Sequence, residues 1–128
     1  MKEIVQLTEE WIQAYNGGKS EGIGAQYAQD GHLISPWTPF RVEGRKAVAE
    51  AFAGGFQAFP KRTLVFRQPA IRVYNETTAV ANGYFHATVT NHEGQSSTRS
   101  GRFSITYVKL EGKWQVVEYH GSLLPTSP

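Results

Sequence analysis

The sequence predicts an α+β fold, with helices packed on one face of a curved, mostly antiparallel sheet. Three observations predict it. Apolar residues recur at helical spacing in the segments before Pro60. From residue 62 onward the period changes to two. The later strand-like runs are joined by turns too short for parallel crossovers, so they pair as antiparallel neighbours. Helices in one block and strands in another give two layers sharing one core.

Ile4, Leu7, Trp11, Ile12 and Tyr15 place one apolar stripe on a helix over residues 2–16, and Gly17-Gly18 ends it. Ser20 can cap a short second helix over 20–27, although Gly22 and Gly24 weaken it. Asp30-Gly31 reads as a turn, and residues 32–35 as a short strand. Residues 36–43, PWTPFRVE, form a loop carrying two prolines. Gly44 opens a third helix with Val48, Ala51, Phe52, Gly55 and Phe56 on one face, and Pro60 stops it. Strands follow over 62–74, 78–90, 97–109 and 113–122.

Strand parity separates core from surface. The odd positions Ala79, Ala81, Gly83, Phe85, Ala87 and Val89 are apolar, as are Phe103, Ile105 and Tyr107, so this face meets the helices. The even face is polar and aromatic. It suits a second copy of the chain through Tyr84, His86, Arg102, Thr106, Trp114 and His120. A homodimer or higher homo-oligomer is therefore expected.

The 128 residues suit a single domain over 1–128, and a chain of this size buries a real core. Hydrophobic residues at 40 % and aromatics at 12 % exclude intrinsic disorder. There are no cysteines, which excludes disulfides, thiolate nucleophiles and zinc–sulfur sites. The net charge of +2 comes from scattered basic residues, so neither nucleic acid nor a membrane surface is expected as a partner. MKEIVQLTEE turns polar at once and is not read as a signal peptide, and no apolar run approaches a membrane span. A cytoplasmic location is the expectation.

Several stretches carry a family resemblance in order and spacing. They are KEIVQLTEEWIQAYNGGK (2–19), Val42-Glu43-Gly44, QPAIRV (68–73) with Ala79 and Tyr84, and GKWQVVEYHGS (112–122). Together they resemble the nuclear transport factor 2-like (cystatin-like, SnoaL-like) superfamily. Within it the likeness is to the association, or hub, domain of calcium/calmodulin-dependent kinase II and its bacterial relatives. The resemblance implies a cone-shaped α+β fold, self-association through sheet faces, and a pocket between sheet and helices. It does not imply kinase activity, since the chain has no glycine-rich phosphate loop, H-R-D or D-F-G.

Enzymatic relatives, among them ketosteroid isomerase-like, dehydratase-like and epoxide hydrolase-like members, rely on carboxylates or a histidine–aspartate pair inside the cone. Here Asp30 is the only aspartate and stands in an Asp-Gly turn. Metal-free carbonic anhydrases of the group end in a strand reading H-H-S-S, where this chain has Tyr119, His120, Gly121 and Ser122.

Candidate site residues follow from parity. Glu118, His120 and Ser122 alternate on the last strand and share a face with Trp114 and Val116. They form either an acid–base row or a subunit-contact surface. Successive members stand roughly 7 Å apart, too far for a direct relay, so contact is the expected role. The alternate set, Val117, Tyr119 and Gly121, faces the cone. The expected cone lining is Tyr15, Trp37, Phe56, Phe85, Tyr107 and Tyr119, holding a small organic ligand, with Trp37 and Phe40 in a proline-pinned loop at its mouth as either a pocket lid or a subunit contact. Arg67, beside Gln68-Pro69, is the one candidate for an inward cation, although a solvated or interface role is the expected one for this chain's arginines. His32, His86, His92 and His120 lack metal-ligand spacing, so neither metal nor cofactor is expected. Three functions fit: a ligand-pocket protein, a non-catalytic association module, and a hydratase, isomerase or lyase using His120 or Tyr119.

Overall fold

The computed structural model describes residues 1–125. Three helices, α1 (Lys2–Asn16), α2 (Ser20–Gly24) and α3 (Arg45–Ala58), pack against one six-stranded sheet. Its strands are β1 (Tyr27–Ile34), β2 (Val42–Glu43), β3 (Lys61–Asn75), β4 (Thr78–Thr90), β5 (Ser96–Leu110) and β6 (Lys113–Leu123). Their spatial order is β2-β1-β6-β5-β4-β3. Only β1 and β6 run parallel; every other neighbouring pair is antiparallel. The α+β layout read from periodicity is the architecture of the chain.

Alternation decides the two faces, most cleanly in β4. Ala79, Ala81, Gly83, Phe85, Ala87 and Val89 are buried against the helices, and the residues between them are not. Ile4 and Trp11 of α1, Ile23 of α2 and Val48 of α3 close the core from the other layer. Burying each large apolar side chain stabilises the fold by about 1.5–3 kcal/mol.

The structure differs from the sequence reading where the backbone is irregular. The second helix ends at Gly24, not at residue 27. Its two glycines are weak helix formers, and Tyr27 and Ala28 bury themselves by opening β1. Asp30-Gly31 therefore lies inside β1. The expected turn survives as a register irregularity between Tyr27 and His32 opposite β6. A Cβ at Gly31 would come within 2.8 Å of the Val116 carbonyl oxygen, so only glycine passes there. Val42–Glu43 is not loop but a short strand antiparallel to β1, pairing with Leu33 and His32.

Two bulges redirect side chains. In β3, Arg67 faces Tyr84 and Ala70 faces Asn82, so Gln68 and Pro69 together oppose Gly83. Gln68 takes a φ of 50° there, and a Cβ on Gly83 would sit 3.0 Å from the Arg67 carbonyl oxygen. The bulge does not turn Arg67 inward. Arg67 is exposed and paired across from Tyr84 on the outer face. In β6 the register breaks between Thr106–Glu118 and Tyr107–Val116, leaving Val117 as the extra residue. This inverts the parity of everything before it. Val116 is buried beside Tyr107, and Trp114 packs against the core. Trp114 and Val116 thus do not share a face with Glu118, His120 and Ser122, and Trp114 is not an outer-face residue.

Candidate functional site

A cavity of about 120 Å³ opens between the inner face of the sheet, α1, α3 and the segment Ser35–Thr38. Strand β4 contributes Phe85, Ala87 and Val89, and β6 contributes Tyr119. Parallel pairing of Leu33 with Tyr119 brings β1 alongside. Helix α1 presents Trp11 and Tyr15 one turn apart, and α3 presents Ala51, Phe52, Gly55 and Phe56. Trp37 lies 46 % exposed at the mouth, its ring 5.8 Å from Phe85.

Trp11 organises the wall. Its ring is nearly parallel to Tyr15 at 5.7 Å and to Tyr119 at 5.6 Å, and meets Phe52 edge-on at 5.8 Å. Such offset and T-shaped pairs add roughly 0.5–1.5 kcal/mol each beyond area burial, so the wall is rigid. The indole N–H and the Tyr27 hydroxyl are both buried without a hydrogen bond. They lie near enough for the indole to lower the Tyr27 pKa in part, while burial above all drives it well upward.

The polar groups of the cavity are few. Burial raises the pKa of Tyr15 and, more strongly, of Tyr119. Both hydroxyls therefore stay protonated near neutral pH and can donate. Tyr119 is only 7 % exposed, yet its hydroxyl has no hydrogen bond to a described residue. Arg62 is the cation of the lining. Its Nε donates to the Tyr15 carbonyl at 2.9 Å and its Nη1 to the Phe59 carbonyl at 2.8 Å. The guanidinium also stacks on Phe56 at 4.3 Å. These carbonyls end α1 and follow α3, so the charge neutralises two helix C-termini. Among the described residues, no histidine, aspartate or glutamate lines this cavity.

Five of the six residues expected in the cone line it: Tyr15, Trp37, Phe56, Phe85 and Tyr119. Tyr107 does not. It pairs with Ala79 and Val116 and is 1 % exposed in the core away from the cavity. Phe40 is 81 % exposed and stands clear of the lining. Trp11, Phe52 and Arg62 complete the wall. Arg62 was legible from parity, since it alternates with Leu64 and Phe66 on the buried side of β3.

The histidine row lies elsewhere. His120 is exposed on the outer face opposite Ser104, with Arg102 opposite Ser122. Tyr84, His86 and Thr106 share that face, with His86 Nδ1 2.8 Å from Ser100 Oγ. Glu118 instead approaches His32, whose Nδ1 is 3.8 Å away, and His32 Nε2 lies 3.7 Å from Glu43. No group of histidines and carboxylates among the described residues is arranged to hold a metal ion.

A profile described as the SnoaL-like domain matches residues 4–127. The chain belongs to the SnoaL-like family. No curated protein matches it. Solved structures do. A Salmonella enterica serovar Typhimurium protein named for the nuclear transport factor 2-like superfamily shares 27 % identity at a TM-score of 0.86, over 99 % of this chain and 92 % of its own. A Xanthomonas campestris protein, named as a candidate calcium/calmodulin dependent protein kinase II association domain, shares 25 % identity at 0.86, over 97 % and 87 %. A nuclear transport factor 2-like protein of cystatin-like fold from Novosphingobium aromaticivorans matches at 0.81 and 18 % identity, over 98 % and 82 %. This SnoaL-like chain thus has the superfamily and the cystatin-like fold that its sequence resembles. Among the described residues no helix is long and apolar enough to cross a membrane.

Proposed function

We propose that this SnoaL-like protein binds a small, planar organic molecule in the aromatic cavity, without acid–base catalysis. One observation carries the reading. The cavity joins an apolar aromatic wall to the Tyr119 hydroxyl, which makes no hydrogen bond to a described residue and is not sealed off from the cavity. A tyrosine hydroxyl both donates and accepts, so a polar group on a bound ligand can supply the hydrogen bond that the protein does not. The volume of about 120 Å³ encloses about one ring, since an apolar cavity of roughly 150 Å³ admits benzene, and a second fused ring would reach into the open mouth beside Trp37. Proton transfer at neutral pH needs a group that titrates nearby, and the lining offers tyrosines whose pKa values are raised. His120, on the outer face, is out of reach of a bound ligand. Calorimetric titration with phenol, indole and 2-naphthol tests the reading. Binding of at least one, lost or reduced about tenfold in Tyr119→Phe, supports it. No heat and no thermal stabilisation from any of them at millimolar concentration overturns it.

A second reading concerns the outer face. Tyr84 stands 47 % exposed there among Arg102, Thr106, His86 and His120. Aromatic and arginine side chains are favoured at protein interfaces, and the 25 %-identical relative is named for an association domain. The reading is self-association through this face, giving a homodimer or larger homo-oligomer. Thr106→Glu then dissociates the assembly in light scattering. An unchanged mass removes this face as the interface.

A further inference from the structure

Two glycines, Gly54 and Gly55, stand together in the second half of α3. Glycine is among the least favourable residues in a helix interior. It is usually explained by a positive φ or by a close approach of another chain segment. Gly24 has the second excuse, because a Cβ there would lie 2.9 Å from Ala49. Gly54 and Gly55 have neither. Both lie within regular helix and neither takes a positive φ, and a Cβ at either would meet nothing within 4 Å. Packing and backbone therefore leave the pair unexplained.

The two differ in one respect. Gly55 lines the cavity and Gly54 does not. Gly55 is also exposed, so it belongs to the rim where the cavity meets solvent. Trp37 stands on that rim as well, held against Phe85. Inside, Tyr119 lines the cavity and its hydroxyl makes no hydrogen bond to a described residue, which leaves it free to meet a ligand.

We infer that Gly55 keeps the mouth of the cavity open and sets the width of the ring system that enters. The inference rests on the ligand-binding reading above. The class of ligand is a flat molecule of one or two fused rings carrying a hydrogen-bond acceptor for Tyr119. A side chain at position 55 narrows the mouth, whereas the same side chain at 54 projects clear of it.

The matched variants Gly54→Ala, Gly55→Ala, Gly54→Leu and Gly55→Leu test it with phenol and indole as probes. Both alanine variants are expected to melt a few degrees higher, because each adds helix propensity alike. Gly55→Leu is expected to weaken indole binding at least tenfold, while Gly54→Leu leaves it within twofold. Gly55→Ala, which keeps the fold, is expected to weaken indole more than phenol. Equal losses at 54 and 55, no loss at 55, or equal effects of Gly55→Ala on the two probes would overturn the role of Gly55 alone. A wild-type protein that binds neither probe, nor 2-naphthol, but is stabilised by both alanines would instead overturn the ligand reading, and this inference with it.

Discussion

The two faces of one sheet divide the chemistry of this protein unevenly. The outer face carries the groups that look catalytic in the sequence: His86, His120, Arg102 and a row of hydroxyls. They are exposed, and their hydrogen bonds are cross-strand, such as Thr88–Thr98 and His86–Ser100. The inner face carries no such row. It has apolar rings, two tyrosines held protonated and one arginine committed to helix ends. Yet the inner face has the enclosed space, with the Tyr119 hydroxyl and the unpaired Trp11 indole N–H in its wall. A ligand site needs enclosure as well as functional groups, and the reading proposed above follows the enclosure.

Neighbouring residues on β4 give the largest test of this division. Phe85→Ala should lower the unfolding free energy by about 3–5 kcal/mol, because the ring fills a tight niche over Gly101. Tyr84→Ala, one residue away on the outer face, should cost about 1 kcal/mol or less in the monomer. Urea denaturation compares them, and equal losses would break the distinction between faces.

The arginines of β3 make the next comparison. Arg62→Met should cost about 2–3 kcal/mol, since it removes charge-assisted bonds to two carbonyls at helix ends. Arg67→Met should stay within about 0.5 kcal/mol. Thermal melts of the two variants read the difference.

The buried tyrosines predict an alkaline limit. Burial raises the pKa of Tyr119 and Tyr107 above the ordinary 10.0. Above pH 10 the unfolded chain has released these protons while the folded chain retains them. Unfolding is then favoured by rising pH, and each such tyrosine contributes a slope of about 1.4 kcal/mol per pH unit. Stability should be flat in this respect below pH 10 and fall above it. Tyr119→Phe should make the fall shallower by that amount in denaturation curves taken from pH 9 to 11.5. An unchanged slope would mean that Tyr119 ionises in the folded state.

The smallest effect belongs to the row on β6. His120→Ala and Glu118→Gln should each alter stability by less than about 0.5 kcal/mol, as exposed residues do. Neither should change the affinity for indole in calorimetry. A tenfold loss in either would move the site to the outer face.

How much of this was legible in the sequence depended on regularity. Strict alternation in β4 placed Phe85, Ala87 and Val89 on the inner face, and helical spacing placed Tyr15 and Phe56. Parity failed at bulges, because one extra residue inverts every position beyond it. Counting back from Tyr119 put Trp114 outside, whereas the break at Val117 turns it inward. Asp30-Gly31 misled in the same way, since its bend is absorbed within β1. The neighbouring proline makes Arg67 a candidate for an inward cation, whereas plain alternation with Leu64 points to Arg62. Tyr107 was correctly read as inward, but a residue on the inner face meets either core or cavity. Only the placement of the helices decides which. The family likeness was legible from ordered short stretches. The role inferred for Gly55 was not, because a glycine leaves no signal of what it omits.

Methyl-resolved nuclear magnetic resonance during an indole titration tests the central claim most directly. Leu33, Leu64, Ala87 and Val89 line the cavity, while Val80 and Thr106 face each other on the outer side of the sheet. Saturable shifts at the first group, with Val80 and Thr106 unmoved, are the predicted result. Shifts confined to Val80 and Thr106 would contradict it and place the binding site on the outer face.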